Sequence, residues 1–267
     1  MVMRNGVDVR AGHPAEATRW IVGDGPQAAG GALVRLFCFA HAGGGAAFFR
    51  PWRTALAPTV DVRPVLLPGR EARLDEPPYR RIEQLVDPLC AALSPQLDAP
   101  YALFGHSMGA AVAFEVARRL TDAGRPGPIC LLVSGRQAPR AVSARRTLWT
   151  LPDDDFVAAV GRMGGTPPEV LGEPDLLQMF LPALRADFEL SETYRPLPGG
   201  RLRCPVVAYM GVDDPEVDRN GLLRWHEETS GAFTLRLFAG DHFYLKGGRA
   251  DVLSAVRHDL QRAAELR

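Results

Sequence analysis

The stretch that decides the fold is Tyr101-Ala-Leu-Phe-Gly-His-Ser-Met-Gly-Ala-Ala-Val-Ala-Phe-Glu-Val-Ala-Arg-Arg-Leu120. Its first four residues form an apolar run of the length of a buried strand. Gly105-His-Ser-Met-Gly109 follows. An alanine-rich stretch with Val112, Val116 and Leu120 four residues apart then reads as a helix ending near Gly124. Strand, Gly-x-Ser-x-Gly and helix, in that order, define a nucleophile elbow. A strand that turns straight into a helix holds Ser107 in a strained conformation with its hydroxyl exposed. A side chain at 105 or 109 would collide with neighbouring backbone, and both are glycine. The helix starting beside Ser107 points its N–H groups and positive dipole end at the place where an oxyanion would form. In a chain with 27 glycines the pentapeptide alone is compatible with chance. The strand before it and the helix after it carry the catalytic reading.

Upstream, Leu33-Val-Arg-Leu-Phe-Cys-Phe39 reads as a strand and runs directly into His41-Ala-Gly-Gly-Gly45. A helix is predicted from about Ala47 to Ala57, with Phe48, Trp52 and Leu56 on one face. A glycine cluster after a strand is sometimes a phosphate loop, but this one lacks both the G-x-G-x-x-G spacing and a Walker lysine. It reads better as an oxyanion loop, with main-chain N–H groups near Ala42 facing Ser107. His41 precedes the elbow, whereas hydrolases with this elbow run serine, acid, histidine, so His41 is read as shaping the loop. Val60 to Leu67 is a second strand, ended by Pro68-Gly69. A polar loop with Arg70, Glu71 and Arg73 and a helix marked by Ile82, Leu85, Val86 and Leu89 lead to the elbow. Pro128 to Ser134 is a further buried strand. Alternating strands and helices predict a parallel sheet. Residues 1–30 show little periodicity and are expected to be a loose segment, with a short edge strand at Trp20-Ile-Val22.

Downstream of Ser134 the rhythm breaks. Residues 136–200 hold no convincing strand. Phe156, Val157, Val160 and Met163 predict one helix. The apolar residues from Leu176 to Leu190 predict one or two more, with a kink or break at Pro182. A helical insertion rich in Leu, Phe and Met between strands of such a sheet reads as a lid over an acyl pocket, the alternative being ordinary helical core. On the lid reading Met163, Phe180, Leu184 and Phe188 border the acyl chamber. The sheet resumes at Cys204-Pro-Val-Val-Ala-Tyr-Met210, followed by Gly211-Val-Asp-Asp-Pro215. A helix near 220–229, a strand Phe233 to Phe238, the loop Ala239-Gly-Asp-His-Phe-Tyr-Leu245 and a closing helix near 249–264 complete the chain. An acidic loop after one strand and a Gly-x-His loop after the next complete a Ser-Asp-His triad. His242 is the expected base. Asp214 is preferred to Asp213 by its G-x-x-D spacing, and Asp241 lies too near His242 in sequence.

Composition fits one enzyme domain over residues 31–267, with the lid at about 136–200. Lys+Arg and Asp+Glu both number 31, so the formal net charge is zero, which argues against nucleic acid as a partner. Cys38, Cys90, Cys130 and Cys204 lie far apart, three of them in apolar runs, and are expected to be free thiols rather than a metal or disulfide framework. No leader and no apolar run long enough to span a bilayer is evident. A cytoplasmic protein without a membrane partner is therefore expected.

Phe39-Ala-His-Ala-Gly-Gly-Gly45, Leu67-Pro-Gly-Arg70, Gly105-His-Ser-Met-Gly-Ala110 and Gly240-Asp-His-Phe243 together resemble the type II thioesterases of polyketide and nonribosomal peptide biosynthesis. The serine pentapeptide is shared by many hydrolases; its combination with the first two stretches is far more specific. The resemblance runs from about residue 33 to the end. His41 is one departure, since many relatives carry another residue before Ala-Gly-Gly. The resemblance implies an α/β-hydrolase fold and a catalytic triad of Ser107, Asp214 and His242. It also implies oxyanion N–H groups from Ala42 and Met108, and no cofactor or metal. It further implies that aberrant or stalled acyl groups are hydrolysed from the phosphopantetheine arm of acyl or peptidyl carrier proteins, by a monomer. An acyl-CoA thioesterase or carboxylesterase is the nearest alternative, and a non-catalytic carrier-binding module a more distant one. Carrier proteins of this kind are generally acidic. The densest basic stretch, Arg136, Arg140, Arg145 and Arg146, is therefore a candidate docking patch, Arg145 and Arg146 above all.

Overall fold

The computed structural model describes residues 19–23, 34–141, 147–165 and 172–266. Six strands form a single sheet: β1 (Val34–Phe39), β2 (Val60–Pro64), β3 (Tyr101–His106), β4 (Leu131–Ser134), β5 (Val206–Gly211) and β6 (Phe233–Phe238). Their spatial order is β2-β1-β3-β4-β5-β6, and every pairing is parallel. The helices that accompany the sheet are α1 (Arg50–Leu56), α2 (Ile82–Leu93), α3 (Met108–Asp122), α4 (Asp153–Met163), α5 (Pro174–Thr193), α6 (Arg219–Leu223) and α7 (Ala250–Glu265). This is the α/β-hydrolase architecture expected from the sequence.

Parallel strands need crossovers, and crossovers of one hand decide which helix covers which face. The chain steps outward once, from β1 to β2, and every later crossover runs the other way. One hand therefore puts α1 on one face and α2, α3 and α6 on the opposite face. The side chains follow. Phe37, Phe39, Leu103, Leu131, Val133 and Ala208 pack into the core under α2 and α3. Their neighbours Leu36, Cys38, Phe104, Leu132, Val207 and Tyr209 pack against Trp52 and Leu56 of α1 and Val252 and Val256 of α7. With both faces covered, the strands read as continuous apolar runs rather than alternating ones. The order reverses at β1, so the loops leaving β1 and β3 flank the switch point at the carboxyl edge of the sheet. There an open α/β sheet leaves a crevice.

Several local expectations are corrected. The predicted helix 47–57 is a 3₁₀ turn, Ala46–Phe49, running into the shorter α1, whose first turn holds Pro51. The predicted helix 220–229 is α6 followed by a 3₁₀ turn, Arg224–Glu228. Trp20-Ile-Val22 contributes only one antiparallel bridge, Ile21 to Val65. Most of the N-terminal segment 1–30 lies outside the described residues. Pro182 does not break α5, which runs through it from Pro174 to Thr193. The carbonyl that loses its donor belongs to Gln178, one turn earlier, and both residues are exposed, so water satisfies it. Pro88 sits inside α2 in the same way, one turn after exposed Gln84.

The tightest contact in the sheet is between α3 and β1. A Cβ on Gly109 would lie well inside contact distance of the Phe39 carbonyl, and one on Gly105 would strike the Gly109 carbonyl. Both obstacles are backbone and cannot swing aside. Gly109→Ala should cost about 3 kcal/mol, the upper end of the range for overpacking. A urea midpoint equal to that of the wild-type protein would refute this close approach.

Candidate active site

Ser107 occupies the turn between β3 and α3 with φ 55° and ψ −115°, a conformation that L residues rarely adopt. Such strain is of order 1–3 kcal/mol and persists only where the surroundings enforce it. Here the Ser107 N–H donates to the Ser134 carbonyl at 2.8 Å, and the Ala110 N–H donates to the Ser107 carbonyl at 3.1 Å. The residue is thereby fixed to the end of β4 and to the first turn of α3. Its side chain lines a cavity of about 230 Å³ whose walls also include Ala42, Met163, Phe188 and His242.

His242 lies in the loop after β6 and Asp214 in the loop after β5. His242 Nδ1 is 2.8 Å from Asp214 Oδ2, with both side chains buried. The other carboxylate oxygen of Asp214 accepts from the Glu216 N–H at 2.8 Å, so the acid is oriented from both sides. The neighbouring acids do not compete. Asp213 is exposed, and Asp241 Oδ1 accepts from the Phe243 N–H at 2.8 Å, which shapes the turn that presents His242. Among the described residues no acceptor in the protein meets the N–H of Ala42 or of Met108. Met108 opens α3, where such a donor is free by construction.

Two further histidines pack beside His242. The His106 ring centroid is 4.9 Å from that of His242, and His41 lies 5.8 Å from His106. His41 sits between Phe48 and Phe243, each at 4.9 Å, and so shapes the loop rather than acting on Ser107. Burial lowers its pKa to about 3, with His242, Lys246 and Arg70 adding repulsion. Burial, then His242 and His41, likewise push His106 well below the ordinary histidine value. His106 Nδ1 bonds to Ser134 Oγ at 2.9 Å, and that hydroxyl bonds to the Tyr244 hydroxyl at 2.6 Å.

The lid residues divide. Met163 and Phe188 line the cavity. Leu184 packs with Phe156, Val160 and Phe188 in a small cluster separate from the two main cores, and leans on Gly43. Phe180 is not among the cavity-lining residues, because it belongs to the outer half of α5, where Leu176 and Met179 are exposed. Arg145 and Arg146 lie outside the described residues. Arg136 and Arg140 of the same stretch are committed internally. Arg136 donates to Ser191 Oγ and to the Ser191 carbonyl at 3.0 and 3.1 Å, and Arg140 pairs with buried Glu228. Sequence reasoning missed Asp187. It lies on the buried side of α5 and accepts from Arg70 through both oxygens and from the Gly43 N–H. Its signal was a carboxylate set between Leu184, Ala186 and Phe188 on an apolar face, which needs a partner.

A strained serine on an elbow, a buried Asp–His pair after the next two strands and open N–H groups beside a cavity define a serine hydrolase of the α/β-hydrolase fold. Residues 34–260 match the Thioesterase domain family, and the chain belongs to it. It is 34% identical to the gramicidin S biosynthesis protein GrsT of Aneurinibacillus migulanus over 247 residues, covering 92% of this chain and 96% of that protein. It is 42% identical to thioesterase PikA5 of Streptomyces venezuelae over 213 residues, 79% of this chain and 75% of the relative. The type II thioesterase BorB from the borrelidin biosynthetic cluster superposes with a TM-score of 0.82 at 43% identity, covering 90% of this chain and 97% of BorB. No helix of the described residues is long and apolar enough to cross a membrane.

Neutral burial of His41 and His106 has a pH consequence. Their folded pKa values lie below the unfolded value near 6.5. Below pH 6.5 the unfolded chain therefore binds more protons, and stability falls as pH falls, by up to about 1.4 kcal/mol per pH unit for each ring, for His41 down to about pH 3. His41→Asn should flatten that slope by about one proton in urea unfolding followed from pH 6.5 to 4.5. An identical slope in both proteins would mean that His41 is not held neutral.

Proposed function

We propose that this thioesterase hydrolyses acyl groups from the phosphopantetheine arm of acyl or peptidyl carrier proteins in a polyketide or nonribosomal peptide pathway, removing aberrant or stalled acyl groups. The observation that carries the reading is the Asp214–His242 pair, 2.8 Å apart and joined across two successive loops, with His242 lining the same cavity as Ser107. Ser107 Oγ attacks the thioester carbonyl while His242 Nε2 takes its proton. Asp214, bonded to Nδ1, fixes the tautomer and stabilises the imidazolium. The Ala42 and Met108 N–H groups hold the oxyanion, helped by the N-terminal end of α3. The intermediate collapses, the C–S bond breaks, and the pantetheine sulfur leaves with the proton from His242. Water then enters, gives its proton to His242 and attacks the acyl-enzyme ester, which returns Ser107 and the free acid. The strain at Ser107 and the neutral rings beside His242 support this division of labour. They leave one imidazole paired with a carboxylate and able to carry the transient charge.

Ser107→Ala and His242→Ala should each lower hydrolysis of acyl-carrier substrate by about 10⁴-fold or more with the fold retained, and Asp214→Asn should be severely impaired. Asp213→Asn should be close to wild type. A dead Asp213→Asn beside an active Asp214→Asn would move the acid to the neighbouring residue. Comparing one acyl group on a carrier protein, on coenzyme A and as an oxygen ester tests the substrate class. The highest kcat/KM is expected on the carrier, and equal values on carrier and coenzyme A would favour an acyl-CoA thioesterase.

The cavity is small, and Phe188 and Met163 form part of its wall. Phe188→Ala should therefore raise the rate on long acyl chains relative to short ones by roughly 10-fold, the scale of one or two methylenes of pocket. The same fractional loss at every chain length would show Phe188 to be plain core.

A further inference from the structure

The loop that carries Ala42 is gripped from two directions by charged side chains that the proposed chemistry does not use. The Arg70 guanidinium forks onto Asp187, with one terminal nitrogen 2.7 Å from Oδ2 and the other 2.8 Å from Oδ1. The same Arg70 also donates to the Gly44 carbonyl at 3.0 Å. Asp187 Oδ2 accepts the Gly43 N–H at 2.7 Å. One residue beyond Arg70, Glu71 takes a positive φ of 47° and accepts the Ala47 N–H at 3.0 Å. Both members of the Arg70–Asp187 pair are buried, at 7% and 2% side-chain exposure. The 41–47 loop contains Gly43 at φ 77° and Gly44, so it has little stiffness of its own. Its shape is set by these contacts.

We propose that Asp187 and Arg70 are positioning residues for the oxyanion site: by holding Gly43 and Gly44, they aim the Ala42 N–H at the acyl oxygen and make that aim depend on helix α5 being seated. Apolar packing of Leu184 against Ala42 and Gly43 presses the helix on the loop but gives the loop N–H groups no direction. The carboxylate gives it, because its oxygens serve the guanidinium and the loop N–H together. A bidentate, charge-assisted arrangement fixes direction as well as distance. Direction matters at this point, since a displacement near 1 Å at the reacting centre costs on the order of 10²-fold in rate. When α5 lifts, Asp187 leaves with it, so the Gly43 N–H loses its acceptor and Arg70 loses the carboxylate that aims it at Gly44. The assignment rests on the Ser107 mechanism proposed for this site.

The test is Asp187→Asn, which keeps the size and removes the charge, read by steady-state kinetics on an acyl-pantetheine thioester and by binding of the matching trifluoromethyl ketone. That ketone adds Ser107 to form a tetrahedral oxyanion, so its affinity reports the oxyanion site rather than ground-state binding. Expected are a fall in kcat of about 10²-fold, a KM within about 3-fold of wild type, and a Ki raised by the same factor as kcat/KM is lowered. Arg70→Lys, which keeps the charge and loses the fork, should show the same pattern at about 10-fold. A folded Asp187→Asn with wild-type kcat and wild-type Ki overturns the proposal. So does a loss confined to KM, which would assign the pair to seating the helix alone. Activity retained by Ser107→Ala would instead overturn the nucleophile reading beneath it. Hydrogen exchange on the wild-type protein needs no variant. The Gly43 amide should share the protection of amides in the second half of α5, and exchange at the rate of an open loop amide overturns the proposal.

Discussion

Everything in the site depends on how closely α3 approaches the ends of β1 and β3. The helix begins one residue after β3 ends, and at Gly109 its backbone lies against the Phe39 and Ala40 carbonyls. That approach leaves Ser107 no room for an ordinary turn and forces it to positive φ. The same approach brings the first N–H groups of α3 beside the loop leaving β1. The position of Ser107 and that of those N–H groups are thus set by one backbone constraint rather than by separate contacts. The sheet supplies the rigidity for it. β3 is buried along its whole length and hydrogen-bonded on both sides, from Arg35–Tyr101 through His106–Ser134.

A buried site with three histidines raises the question of which one takes a proton. The structure separates them by partner rather than by position. His41 is packed between two phenylalanines, and its Nδ1 has no hydrogen-bond partner among the described residues. His106 Nδ1 bonds to the Ser134 hydroxyl, and its Nε2 has no hydrogen-bond partner among the described residues. Neither environment offers a negative charge, so desolvation decides and both rings stay neutral. His242 alone of the three meets a carboxylate.

The legible part of this protein was the part written in local pattern. The six strands, the elbow and the order of acid and histidine loops follow from apolar runs, glycines and spacing within a few residues. Asp214 was separable from Asp213 by one residue of loop spacing, and the structure pairs Asp214 with His242. What stayed hidden was tertiary. Arg70 and Asp187 are 117 residues apart, and nothing local marks Arg70 as buried rather than part of a solvated loop. Arg136 of the basic stretch was hidden for the same reason, whereas Arg145 and Arg146 lie outside the described residues. Arg136 looked like surface charge, but its guanidinium turns inward over Tyr194 and onto Ser191. Pro182 misled because the cost of an interior proline depends on whether the orphaned carbonyl can reach water, and sequence does not show that.

The choice between lid and core, open when only the sequence is read, dissolves in α5 itself. From Ala183 onward the helix is buried and tied to the body by charge. Asp187 holds Arg70, Glu189 holds Arg80 and Arg81, and beyond its end Tyr194 donates to buried Glu115 at 2.6 Å. Before Pro182 it is largely exposed, and the small apolar cluster it shares with α4 is made by Leu184 and Phe188 of the inner half, with Leu181 half-buried at its edge. Leu190 enters the main core, so apolar contact seats this helix in part, and the charged contacts add direction to it. Its inner half is held by carboxylates, and a buried carboxylate that leaves its cation exposes two uncompensated charges, a cost of several kcal/mol. Small movements of the outer half cost little, whereas movement of the inner half is opposed strongly and all at once. The inner half bears on the loop that carries Ala42, because Asp187 and Arg70 bond to Gly43 and Gly44 as well as to each other.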